Sequence, residues 1–185
     1  MQLVSEEDGA LAVSYARNTL IKHICNTITE SITLPRSFLE KKGVFVTLTK
    51  AGALRGCIGY PLPDMPLGSA IHDAALSAAL QDPRFPPVRC DELPLIHIDI
   101  TILTVPQICT VSPVERPSAV KVGTHGLIIR GYNRSGLLLP QVPVEWGWDT
   151  MTFLNQTCIK AGLPEKSWID PSVELLTFEG QIFTE

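Results

Sequence analysis

The chain has 185 residues, 45% of them hydrophobic and 18% charged, with a formal net charge of -4. That length supports one substantial core, or one core with a smaller lobe, and the acidic balance argues against broad nucleic-acid binding, which leaves a basic footprint. No apolar run approaches the span of a bilayer, and the polar, acidic start Met1 to Asp8 lacks the basic lead and apolar middle of a signal peptide, so a cytoplasmic protein that stays off membranes is expected.

The first helix is announced by Ser5 and Asp8 as a capping box, with Glu6 and Glu7 at the positive end of its dipole. Val13, Ala16, Leu20 and Ile24 recur at helical spacing, and the helix is expected to end near Cys25 or Ile28, with Cys25 in the core. The strand from Gly43 to Thr49 and the strand from Leu54 to Gly59 form a hairpin across a short glycine-containing turn. A helix follows from about Pro66 to Gln81, capped by Asp64 and rich in alanine, as tight packing against a sheet requires.

Asp82 to Pro87 reads as a rigid, proline-set loop that presents Arg84 and plugs a core with Phe85. Leu95 to Val105 alternates cleanly, with Ile96, Ile98, Ile100 and Ile102 on one face and His97, Asp99 and Thr101 on the other. Residues 110 to 121 read as a proline-containing linker. A second hairpin joins Leu127–Arg130 to Leu137–Leu139, an irregular stretch carries Gln141, Glu145, Trp146 and Trp148, and Asp149 caps a helix through Met151, Leu154, Cys158 and Ala161. Gly162 and Pro164 end that helix, and Val173 to Phe178 is a closing strand.

The five cysteines, at 25, 57, 90, 109 and 158, are odd in number and widely spaced, so reduced thiols are expected, with neither a disulfide framework nor a metal site. Within Leu54-Arg55-Gly56-Cys57-Ile58-Gly59, strand alternation puts Arg55 and Cys57 on one face, where a guanidinium would favour the thiolate. His125, flanked by glycines, is the candidate base for Cys57, with His97 beside Asp99 in reserve. Glu145 is a candidate acid or base, and Gln141 a hydrogen-bonding group for substrate. Two stretches, 41–63 and 116–144, contain no acid and carry +4 each; if they converge, the field between them favours an anion. The same residues also describe solvated strand faces, and a free cysteine also packs as a small hydrophobe.

The hexapeptide Leu54 to Gly59 resembles the signature of the AMMECR family. The resemblance extends over Gly43 to Leu48, Asp82 to Phe85, His125 to Leu127, Leu139 to Val142 and Cys158 to Leu163. It implies one AMMECR-type domain over 1–185, with an α+β fold of antiparallel sheet and flanking helices, and two subdomains with the signature beside a cleft. The larger subdomain is placed at about 1–109 plus 150–185, and the smaller lobe at about 110–149. The resemblance implies no settled activity; some members resemble one part of larger proteins joined to Memo-like and radical SAM modules, which makes a Memo-like or radical SAM protein an expected partner.

Two readings of function follow. In one, a cleft binds a small anionic ligand or substrate through Arg55, Arg84 and Gln141, with Cys57, His125 and Glu145 as the groups for thiol-dependent catalysis. In the other, the same face is a non-catalytic interaction module that docks a protein or RNA. No cofactor is identified. A third, structural reading has Gly56 admitting another element at close range.

Overall fold

The structure, a computed structural model, describes residues 4–185, so the first three residues of the acidic start lie outside it. In chain order the main elements are α1 (Glu6–Ile24), β1 (Val44–Lys50), β2 (Ala53–Tyr60), α2 (Leu67–Leu80), β3 (Ile96–Leu103), β4 (Gln107–Ile108) and α3 (Arg116–Ala119). They continue with β5 (Gly126–Gly131), β6 (Arg134–Leu138), α4 (Gln141–Glu145), α5 (Thr150–Lys160), β7 (Glu174–Phe178) and β8 (Gly180–Thr184). Two four-stranded sheets result, ordered β2-β1-β3-β8 and β4-β7-β5-β6, and the fold is α+β as expected.

The chain divides into two compact units, one running up to Val105 and taking back Gln181–Glu185, the other comprising Pro106–Gly180. The expected assignment of 150–185 to the first unit differs from this, because α5 packs on β5 and β6, and β7 lies between β4 and β5 in the second sheet. Residues 113–119, read as linker, form a 3₁₀ turn running into α3, and 141–145, read as irregular, form the short α4. Here Ser112 donates both its N–H and its hydroxyl to Glu115 Oε2, which favours a turn that proline content alone conceals.

In the first unit, Ser5 caps α1 by accepting from the Asp8 N–H, as the capping pattern requires. α2 starts instead at Leu67 after Pro66, without the side-chain cap expected from Asp64. β1 pairs antiparallel with β2 through the two-residue turn Ala51-Gly52, both at positive φ. The inner face of the sheet presents Val44, Val46, Leu48, Ile98, Ile100 and Ile102, all buried with α2 alanines and α1 residues in one core. β8 was not legible as a strand; it lies beside β3 and brings Phe183 into that core.

The reduced-thiol expectation fails at two positions: Cys25 and Cys90 form a disulfide across 65 residues of sequence. Cys25, expected in the core, caps the end of α1, where α1 passes the 3₁₀ turn Cys90–Leu95. Sequence spacing carries no trace of a pair brought together by tertiary packing. Cys57, Cys109 and Cys158 are free, and Cys158 is buried in the second core with Leu127, Ile129, Phe153 and Leu154, where burial pushes its thiol pKa up.

Gly56 is where α2 comes nearest the sheet. A Cβ built there would lie 2.1 Å from the backbone carbonyl oxygen of Ala78. Backbone cannot yield as a side-chain tip can, so Gly56→Ala is expected to cost about 3 kcal/mol. Urea unfolding of the variant measures this; a loss under 1 kcal/mol would refute the close contact.

Candidate functional site

β2 is an edge strand, so the backbone N–H and C=O of alternate residues point away from β1 and need partners elsewhere. At Cys57 both are met by the loop that follows α2. The Cys57 N–H donates to Asp82 Oδ2 at 2.9 Å, and Arg84 Nη2 donates to the Cys57 carbonyl at 3.2 Å. Asp82 in turn accepts from Arg84 Nε at 2.9 Å, Arg84 Nη2 at 2.7 Å and the Arg84 N–H at 3.1 Å. The Asp82 side chain is 1% exposed, whereas that of Arg84 is 53% exposed. A fork of this kind, two N–H groups on two carboxylate oxygens, fixes the guanidinium plane.

The Cys57 thiol lies 3.3 Å from Thr47 Oγ1, its cross-strand neighbour. Thr47 is also opposite Asp99 on β3, so a thiol, a hydroxyl and a carboxylate stand in one row across three strands, with strands about 4.8 Å apart. His97 Nε2 lies 3.5 Å from Asp99 Oδ1, which joins the imidazole to the end of that row.

Arg55 does something other than expected. Leu48 faces Gly56 and Thr49 faces Leu54, which makes Arg55 the extra residue of a β-bulge. Its Nη2 donates to Glu92 Oε2 at 3.0 Å, and Lys50 Nζ donates to the other oxygen of the same carboxylate at 2.8 Å. The guanidinium is mostly buried, its Nη1 has no hydrogen-bond partner, and no contact links it to the Cys57 thiol among the described residues. The guanidinium at Cys57 is that of Arg84.

These pairs also decide the fate of the acid-free segments. Glu92 pairs with both Lys50 and Arg55, Glu40 lies 3.4 Å from Lys42, and buried Arg116 is spent on the carbonyls of Trp168 and Val173. Acids and carbonyls from outside each stretch thus meet much of the positive charge.

His125, Gln141 and Glu145 belong to the second unit. His125 Nδ1 accepts from the Lys121 N–H at 3.2 Å and Nε2 lies 3.8 Å from Glu179 Oε1, so both ring nitrogens have partners within that unit. Gln141 and Glu145 are exposed at the two ends of α4. Trp146, 70% exposed, stacks on Trp148 with ring centroids 6.2 Å apart. The described residues contain no cluster of metal-ligating side chains and no helix long and apolar enough to cross a membrane.

Asp82 is the residue of this candidate site that the sequence does not single out. The available signal was an acid directly after α2 and two residues before an arginine, but its partner on β2 is 25 residues away. The Arg84 hydrogen bonds hold the Asp82 carboxyl far below the usual carboxylate range, despite burial acting the other way. Arg55 and Lys50 likewise hold Glu92 down at about 2. A carboxyl with a depressed folded-state pKa contributes stability that is present above its unfolded value and lost as pH falls through the folded one. For Glu92 that window runs from 4.5 down to about 2. Glu92→Gln is therefore expected to remove part of the acid-induced loss of stability in this window, as read by urea midpoints at stepped pH. An unchanged slope would deny the ion pair its energetic role.

A family profile, AMMECR1, matches residues 13–183. A protein of Methanocella arvoryzae is 48% identical over 99% of this chain and 93% of its own length. One from Thermococcus gammatolerans is 46% identical over 100% of this chain and 94% of its own. The crystal structure of the uncharacterized protein PH0010 from Pyrococcus horikoshii superposes with a TM-score of 0.84 at 43% identity, covering 98% of this chain and 93% of that one.

Proposed function

Since the chain belongs to the AMMECR1 family, whose relatives above are named without an activity, we propose from the site itself that the Cys57 edge of the first sheet binds a small anionic ligand. One observation carries the reading: Asp82 is buried and spends its oxygens on the Cys57 amide and the Arg84 fork, yet the Arg84 cation stays more than half exposed. Burying a carboxylate is costly, and here it orients an arginine at the surface beside a thiol. Arg84 Nη1 has no hydrogen-bond partner among the described residues, which leaves donors for a carboxylate or phosphate oxygen.

In this reading Arg84 takes the anion, the Cys57 thiol contacts the ligand, and Thr47 orients the thiol through its hydroxyl. Arg55 and Glu92 hold the strand that presents them, so the anion-binding role passes from Arg55 to Arg84. Thiol-dependent catalysis would draw on the same Cys57, with Asp99 and His97 as the titratable groups nearest along its row.

The test uses two alkylating probes of similar size, iodoacetate and iodoacetamide, on the native chain. The ratio of their rates at Cys57 is expected to exceed the ratio for free cysteine several-fold, because Arg84 concentrates the anion, and to fall to the free-cysteine ratio in Arg84→Gln. Added salt should shrink the difference. A native ratio no higher than that of free cysteine sinks the reading.

A further inference from the structure

A cavity of about 680 Å³ in the first unit lies beside the disulfide. Both half-cystines, Cys25 and Cys90, line it, together with apolar Ile21, Leu93 and Ile96. Its volume lies in the range of small-molecule sites. Cys90 is the exposed residue of the pair and Cys25 the half-buried one, so attack is assigned to the Cys90 sulfur. Arg17, His97 and Glu185 also line it, so the sulfur pair sits among both apolar and charged walls, as a small polar thiol requires.

The same turn that begins with Cys90 carries Glu92, the counter-ion of Arg55 and Lys50. Two pins hold it. At its far end Arg17 donates to the carbonyls of Leu93 and Ile96 and pairs with Glu185. At its near end the pin is the disulfide to α1. Glu92 lies between them, two residues from Cys90.

We propose that Cys25–Cys90 is a thiol-exchange site, opened by a low-molecular-weight thiol that enters this cavity, and that opening it frees the turn carrying Glu92 and loosens the ion pair on Arg55 of the signature. The chemistry balances with the thiol as sole reductant. A thiolate RS⁻ attacks Cys90 Sγ, a bond forms between the two sulfurs, and the Cys25–Cys90 bond breaks with Cys25 leaving as thiolate. A second RS⁻ attacks the outer sulfur of the mixed disulfide, giving RSSR and the Cys90 thiolate. The two protons given up by the thiols end on Cys25 and Cys90. The thiol pair is oxidised and the protein disulfide reduced, while Arg17 keeps the far end of the turn in place.

The test has two arms, both on the full chain. In the first, native protein is incubated with reduced glutathione, and Cys25→Ser with oxidised glutathione. Peptide mass mapping is expected to show the Cys25/Cys90 dithiol in the former with the native circular dichroism retained, and one glutathione on Cys90 in the latter. Reduction that occurs only with unfolding overturns the exchange site. In the second, carbon-detected NMR follows the Glu92 carboxyl through a pH titration in oxidised and reduced wild-type protein. Its pKa is expected to rise on reduction from about 2 toward its ordinary 4.5. Identical titration in both redox states overturns the coupling. The reduced wild type carries no substitution, so misfolding of Cys25→Ser leaves both arms decisive.

Discussion

The Asp82 carboxylate, almost wholly removed from solvent, is the interaction on which the edge of the first sheet depends. An ionised group in that position is tolerable only when its lone pairs are taken up, and four donors from Cys57 and Arg84 take them up. β2 would otherwise present a bare amide and carbonyl at Cys57, a template for unwanted pairing. One acid and one arginine therefore perform two tasks: they satisfy the edge, and they fix the plane of a cation that remains at the surface. The stiffness of the loop serves both, since Pro83, Pro86 and Pro87 restrict the backbone around Arg84.

A second buried-to-intermediate ion group works differently. Glu92 gathers Lys50 and Arg55 at the bulge in β2, so the charges that look unopposed along the sequence are opposed in space. Formal charge in a window of sequence says little about field at a surface when the counter-ion comes from an element 37 residues on. The arginine of the signature is thereby held, mostly buried, in an ion pair, and of the two the arginine of the proline loop is the one left more than half exposed.

What the sequence makes legible follows from the range of each interaction. α1, β3 and the first hairpin rest on local devices: a cap three residues long, strict alternation, and a turn at positive φ. The family signature likewise carries the α+β fold. The Asp82 bridge, the Arg55–Glu92 pair and the Cys25–Cys90 bond depend on which elements meet, with partners 25, 37 and 65 residues apart. β8 is missed for another reason: Gly180 to Thr184 is short, and its strand character comes from the free edge of β3 beside it.

The three central residues of the signature become one device when their contacts are set side by side. Arg55 anchors the start of the strand to Glu92. Gly56 has no side chain, which lets α2 approach until a Cβ would lie 2.1 Å from the Ala78 carbonyl. α2 ends at Leu80, so that approach delivers Asp82 to the strand within hydrogen-bond range of the very next residue, Cys57. A larger residue at 56 would hold the helix off, and Asp82 would lose both the Cys57 amide and the purpose of its burial. The cysteine thus sits where a glycine-permitted contact, and not its own alternation with Arg55, brings it a guanidinium.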